Sequence, residues 1–158
     1  MLGLDISRAA VRSASKKYKE ISFCVASAFE LPVGDNSLDV ILRIYAPSLE
    51  SELYRAIKKG GFLITVTPGE RHLYQLREII YQEIHNHREE PSELKNFTLK
   101  DQIKLNYSLM INEVETIKNL LDMTPFGWKI SVENRERLFK LNNWIIDCDF
   151  NIEIHQKN

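Results

Sequence analysis

Met1-Leu2-Gly3-Leu4-Asp5-Ile6-Ser7 sets an apolar run, an acidic residue and a hydroxyl side by side at the head of the chain. The apolar residues read as the tail of a buried strand with no turn or cap before it, as if cut rather than begun. Ser7 is suited to cap a helix running to about Tyr18, in which Ala10, Val11 and Ala14 recur at helical spacing. Strand, cap and helix form the opening half of a βαβ unit. Ile21 to Val25 supplies a second apolar strand, and Glu30 to Ser37, with Pro32 and Gly34, is a loop. Leu38 to Ile44 is a third strand, followed by a helix from about Leu49 to Ile57. The glycines of Lys58-Lys59-Gly60-Gly61 are expected to stop that helix, because glycine takes the left-handed backbone on which helices end. Phe62 to Val66 is the fourth strand, and the alternation predicts a largely parallel α/β sheet.

Beyond Thr67-Pro68-Gly69 the spacing of Leu73, Leu76, Ile79 and Ile80 predicts an amphipathic helix over 71–83. Residues 84–97 are polar, and their His85 and His87 read as solvent-exposed. Ile103, Leu105, Tyr107 and Leu109 alternate with polar residues, predicting a half-buried strand over 103–110. Asn112 with Glu115 resembles a capping box, opening a helix to about Met123 with Val114, Ile117, Leu120 and Leu121 inward. A further helix is expected over 132–141 and a closing strand over 144–155, without internal repeats.

At 158 residues and 44% hydrophobic, the chain suits one domain with a single core. Lys plus Arg total 21 against 22 for Asp plus Glu, so the net charge of -1 gives no long-range attraction for a polyanion, and any RNA must be held by local patches. Cys24 and Cys148 match no disulfide framework or zinc-ligand spacing and are expected to pack as small buried groups. No metal site is expected. With no apolar run near the ~20 residues of a spanning helix and no signal-peptide order, a cytoplasmic protein with no membrane partner is the default.

In an open α/β sheet, ligands lie outside the carboxyl ends of the parallel strands, which directs attention to Asp5, Ser27, Tyr45 and Thr67 to His72. Asp5 can take both hydroxyls of a ribose on its two oxygens, or can assist the amino end of the following helix. Arg43 must find acceptors, because an unpaired guanidinium within a strand is costly to bury. Strand alternation sets Arg43 on one face with Ile41 and Tyr45, as a pocket residue meeting a carboxylate or as half of a structural ion pair.

Gly3-Leu4-Asp5-Ile6-Ser7, residues 23–32 (Phe-Cys-Val-Ala-Ser-Ala-Phe-Glu-Leu-Pro), 37–42 (Ser-Leu-Asp-Val-Ile-Leu) and 58–66 (Lys-Lys-Gly-Gly-Phe-Leu-Ile-Thr-Val) together resemble the second to fifth motifs of class I methyltransferases. A closer resemblance, over essentially the whole chain, is to the ribosomal RNA large-subunit guanine-N1 methyltransferases of the RrmA/RlmA type. It rests on Arg43-Ile44-Tyr45-Ala46-Pro47, Thr67-Pro68-Gly69 with Arg71-His72-Leu73, Met123-Thr124-Pro125-Phe126 with Trp128, and Asp149-Phe150-Asn151-Ile152. The resemblance implies a Rossmann-like sheet, mostly parallel with antiparallel C-terminal strands, in a partial catalytic domain with a cofactor half over 1–83 and a substrate-side segment over 84–158. It implies S-adenosylmethionine as cofactor, with Asp5 on the ribose, Ile6 on the adenine, Ser27 and Ala28 at the adenine edge, and Arg43 and His72 on the cofactor side. Many relatives have Asp where Ser27 stands. Methylating a base edge requires the base to leave its stack, and Tyr45, Pro47, Phe126 and Trp128 are candidate walls for an extruded guanine of 23S ribosomal RNA. For Trp128 a place in the hydrophobic core is the stronger reading. No catalytic base is identified.

The chain departs from this family in lacking its Cys/His zinc module and its Asp-x-Gly-x-Gly loop, whose strand lies in the relatives between those ending here at Asp5 and Ile44. A gap in the middle of the sheet is therefore expected, with two open strand edges and either impaired monomer folding or a homodimer through the edge. A noncatalytic remnant or RNA- or protein-binding module, and a small-molecule methyltransferase favoured by the near-neutral charge, stand as alternatives to an active enzyme.

Overall fold

The computed structural model describes residues 1–81 and 94–158; His85 and His87, with the rest of the segment between, lie outside the described residues. In chain order the elements are β1 (Leu2–Asp5), α1 (Arg8–Lys17), β2 (Ser22–Val25), β3 (Leu38–Ile44), α2 (Glu50–Ala56) and β4 (Ile57–Pro68). There follow α3 (Tyr74–Ile80), β5 (Phe97–Ile111), α4 (Val114–Met123), α5 (Phe126–Lys129), α6 (Val132–Phe139) and β6 (Trp144–Lys157). They form two sheets, β1-β2 and β3-β4-β6-β5. The described residues divide into two compact units, one of residues 1–66, 94–102 and 153–158, the other of residues 67–81 and 103–152.

In the first unit β1 and β2 run parallel from Leu2↔Ser22 to Asp5↔Val25, and β3 and β4 run parallel from Val40↔Phe62 to Ile44↔Val66. Ser7 caps α1 as expected, its Oγ accepting the Ala10 N–H at 3.2 Å. No hydrogen bonding joins β1 to β3: the expected central gap is present as a break between two sheets. The Lys58-Lys59-Gly60-Gly61 stretch corrects the sequence reading. α2 ends at Ala56, where Ile57 is already extended (φ -77°, ψ 138°) and carries the backbone straight into β4. The glycines serve a bulge instead. The β3–β4 register jumps between Leu38↔Ile57 and Val40↔Phe62, and Gly60 takes φ 77°, which only glycine adopts without strain.

The two faces of the β3–β4 pair differ. Leu63 is buried with Leu53, Ile57 and Phe97, and Ile41 packs against this cluster. The opposite face carries the cross-strand pairs Val40–Phe62, Leu42–Ile64 and Ile44–Val66, and Val40, Leu42 and Ile44 remain 50%, 59% and 53% exposed. A buried lysine ties the lower edge of the unit together: Lys157 Nζ donates to Asn36 Oδ1 (2.9 Å), the Tyr54 carbonyl (2.6 Å) and the Ile57 carbonyl (2.7 Å). Its three ammonium protons thus meet three acceptors, as a buried charge requires.

The second unit is built round a core of Leu73, Leu76, Ile111, Ile117, Leu121, Ile130, Leu138, Trp144 and Ile146. Local rules were overridden here at three places. α3 starts at Tyr74 rather than residue 71, because Leu73 turns left-handed (φ 51°) to bury its side chain. The expected Asn112–Glu115 box does not form; the cap position of α4 is Glu113, without a side-chain cap. β5 extends over Phe97–Ile111, and every residue from Thr98 to Met110 is exposed, in place of the half-buried strand expected. Cys148 is buried as expected, whereas Cys24 is only half-buried.

Candidate functional site

Parallel pairing brings Asp5 and Val25 level at the exit of β1 and β2, and the Ala26 N–H donates to the Asp5 carbonyl at 3.1 Å. Ser27 and Ala28 therefore follow directly beside Asp5. The Asp5 carboxylate accepts the Ser7 N–H through Oδ1 at 2.7 Å, so it does assist the start of α1. That bond occupies one acceptor direction of a carboxylate that offers about four, leaving capacity for a diol. Ile6, 77% exposed, presents an apolar side chain next to it. Ser27 is shaped into a tight turn, its Oγ accepting the Phe29 N–H at 3.1 Å and its carbonyl the Glu30 N–H at 3.2 Å. Asp5, Ile6, Ser27 and Ala28 are thus gathered at one strand exit.

A second exit, also in the first unit, lies after β3. Arg43 is level with Thr65 in the β3–β4 register. Its guanidinium donates to Ser48 Oγ (2.9 Å) and Thr65 Oγ1 (3.1 Å), and burial lowers its pKa against the opposing pull of the Glu153 carboxylate. This is the environment of a clamp that fixes the segment after β3. Tyr45 follows with φ 50°, a conformation uncommon in an aromatic residue, and it leaves the ring half-exposed; Pro47 is exposed beyond it.

In the second unit the turn after β4 meets β6. The Gly69 N–H donates to the Asp149 carbonyl (2.9 Å), the Arg71 N–H to Asp149 Oδ2 (2.9 Å) and the Asp149 N–H to His72 Nδ1 (3.3 Å). A β-carbon on Gly69 would collide with the Asp149 carboxylate, so glycine is required for this approach. The His72 ring lies 4.7 Å from that of Phe150. Arg71 also holds Asp147 through Nε (3.1 Å) and Nη2 (2.8 Å), which keeps the Asp147 carboxyl below its ordinary value. Beside these groups is a hollow of about 240 Å³ lined by Arg71, Asn106, Tyr107, Ser108, Asp147 and Asp149, with Cys148 behind. Sequence reasoning assigned no role to Asp147 or Asp149; two carboxylates at i and i+2 within the otherwise apolar run Trp144–Phe150 were the available signal.

Two expectations for the aromatic residues change. Trp128, read as a core residue, is 92% exposed on α5, a four-residue helix the sequence reading missed. Phe126, a candidate wall for the extruded base, packs instead against the core of the second unit, edge-on to Tyr81 with ring centres 6.1 Å apart.

Solved structures share this architecture. The BH2331 protein of Bacillus halodurans C-125, a candidate methyltransferase, superposes with a TM-score of 0.60 at 15% identity, covering 99% of this chain and 82% of that one. A SAM-dependent methyltransferase from Methanosarcina mazei gives 0.52 at 16% identity, covering 99% and 81%. At such identities the likeness is one of fold, and the fold is the Rossmann-like α/β class of the SAM-dependent methyltransferases. Residues 1–123 match the family model described as a methyltransferase domain, and the chain belongs to that family. Among curated proteins it is 29% identical over 160 aligned positions to YxjB, a candidate 23S rRNA (guanine-N1)-methyltransferase of Bacillus subtilis (strain 168), covering 98% of this chain and 56% of that protein. It is 28% identical to the 23S rRNA (guanine(748)-N(1))-methyltransferase of Streptomyces fradiae, covering 79% and 46%. The chain therefore spans about half the length of the curated relatives it matches.

Proposed function

We propose that this chain carries the nucleoside-binding portion of an S-adenosylmethionine-dependent enzyme that methylates N1 of a guanine in 23S ribosomal RNA, a reaction of the cytoplasm. The observation that carries this reading is the gathering of Asp5, Ile6, Ser27 and Ala28 at the exit of β1 and β2. Their chemistry fits the nucleoside end of the cofactor: a carboxylate for the ribose diol, an exposed apolar side chain for the adenine face and a tight turn at the adenine edge. When bound, the cofactor supplies a methyl group on a sulfonium centre. Asp5 orients the ribose and Ile6 shields the ring; in the second unit His72 is held against Asp149 and Phe150, and its assignment to the cofactor rests on the family resemblance alone. Arg43 acts by fixing the backbone that presents Tyr45 and Pro47. Tyr45 and Pro47 in the first unit and, separately, Trp128 in the second are exposed apolar surfaces that the resemblance offers to an extruded base. The relatives named for 23S rRNA guanine-N1 methylation support this substrate.

Isothermal titration with S-adenosylmethionine tests the reading. Binding heat is expected from the folded chain, and Asp5→Ala weakens it roughly 10- to 100-fold, since a charge-assisted hydrogen bond is worth about 1.5–3 kcal/mol. No heat from folded protein, or equal affinity in Asp5→Ala, overturns it. The break between β1 and β3 favours a second reading, a noncatalytic module, and a folded chain silent toward the cofactor is its signature.

A further inference from the structure

We infer that the basic face of α1 is the surface on which this chain holds the sugar–phosphate backbone of RNA; this rests on the RNA part of the reading above and on no detail of the reaction. Arg8, Arg12, Lys16, Lys17 and Lys19 crowd into positions 8–19, a stretch without an acidic residue. With those five of the 21 lysines and arginines set aside, 16 remain against 22 aspartates and glutamates. An overall charge near zero therefore conceals one concentrated positive patch on an acidic remainder.

Helical geometry sorts these charges onto one face. Arg8, Arg12 and Lys16 are four residues apart, and Lys19 follows three further on, folded back over the helix end by a bond from its Nζ to the Ser15 carbonyl (3.2 Å). All four are exposed, whereas Val11 and Ala14, on the other side, are partly buried. The four-residue step lifts each member by about 6 Å, of the same order as the step between phosphates along an RNA strand. α1 has no apolar side chain larger than Val11, whereas a helix lying in a membrane surface needs large ones, so a polyanion in water is the better match. Other cations of the chain are already committed: Arg55 to Glu52 and Asp35, Lys58 to Asp39, Arg71 to Asp147. Among the described residues the four of the stripe make no ion pair, so a phosphate meets them without displacing a carboxylate. The stripe also begins beside the first strand exit. Arg8 follows Ser7, whose N–H is held by the Asp5 carboxylate, so RNA laid along α1 leads to the place assigned to the cofactor's nucleoside.

Fluorescence anisotropy with a labelled RNA hairpin, followed from about 50 to 200 mM salt, tests this on the whole chain. The variant Arg8→Gln/Arg12→Gln/Lys16→Gln/Lys19→Gln should bind at least tenfold more weakly at the low-salt end. Its plot of log K against log salt should be shallower by roughly 3, since each phosphate contact contributes about 0.7–0.9 to the slope. A second hairpin of unrelated sequence should show the same change, because backbone contacts carry no sequence information. Lys59→Gln/Lys100→Gln/Arg137→Gln/Lys140→Gln removes as much charge from exposed positions elsewhere and should leave the slope within about 1 of the native chain. Lysine acetylation of the native chain, read by mass spectrometry, is the second measurement: bound RNA should slow labelling of Lys16 and Lys19 more than fivefold and leave Lys59 and Lys140 unchanged. Equal losses in the two quadruple variants, no protection of Lys16 and Lys19, or a native chain that binds anionic phospholipid vesicles but no RNA hairpin overturns the inference. The stripe variant should keep its heat with S-adenosylmethionine, so failure of the stripe leaves the cofactor reading standing, and failure of the cofactor reading leaves the salt slopes to be judged by themselves.

Discussion

Replacing Gly69 with alanine probes the junction on which the His72 side of the site rests. The Gly69 N–H is bonded to the Asp149 carbonyl, and the Asp149 carboxylate sits where a β-carbon would go, accepting the Arg71 N–H at 2.9 Å. The clash has two escapes. β6 can shift, an overpacking cost of about 1–3 kcal/mol, or the carboxylate can turn away and lose a charge-assisted bond worth about 1.5–3 kcal/mol. Either route gives a loss near ~2 kcal/mol, which at a urea slope of about 2 kcal/mol/M moves the midpoint down by about 1 M. Trp144, buried in the core of the second unit, provides the fluorescence signal. In an Asp149→Ala background the same alanine should cost less than about 0.5 kcal/mol, because the colliding group is gone. A cost that is the same with and without the carboxylate would refute the reasoning.

Glu52 accepts hydrogen bonds from Arg55 and from the Leu31 N–H, which together hold its carboxyl at about 2, below its ordinary value of 4.5. A depressed carboxyl stabilises the fold above its ordinary value and ceases to do so as pH falls through the depressed one. The melting-temperature difference between the native chain and Glu52→Gln should therefore be constant above pH 4.5 and shrink between pH 4.5 and about 2; parallel curves throughout would count against it. Trp128→Ala should leave urea stability within about 0.5 kcal/mol, because the ring touches little, yet weaken binding of a 23S rRNA hairpin roughly 5- to 150-fold if it stacks a base at about 1–3 kcal/mol. Fluorescence anisotropy reads the second effect, and unchanged affinity removes Trp128 from the substrate surface.

The strands were legible where a single apolar run met turn residues on both sides. Leu38–Ile44 is found as read, and Ser7 caps α1 as read, because both depend on neighbours within a few positions. What failed were signals with two uses. Gly60 can end a helix or shape a bulge, and only the strand beside it decides. Leu73 fits a helical stripe, but burial in the core turned its backbone left-handed. Within the site, Asp5 and Ser27 could be placed from strand ends alone. The Arg71–Asp149 contact joins residues 78 positions apart, and no local pattern announces it.

The exposure of β5 has a consequence for handling the protein in solution. It is the last strand of its sheet, open to water from Thr98 to Met110, with Leu99, Ile103, Leu105, Tyr107 and Leu109 along one side. Such a ribbon is a template for stacking and precipitation, held off by gatekeeping charges such as Lys100 and Lys104. With a formal net charge of only -1 at pH 7, the molecule as a whole adds almost no mutual repulsion, so that defence near neutrality falls to the ribbon's own charged residues, Lys100, Asp101 and Lys104.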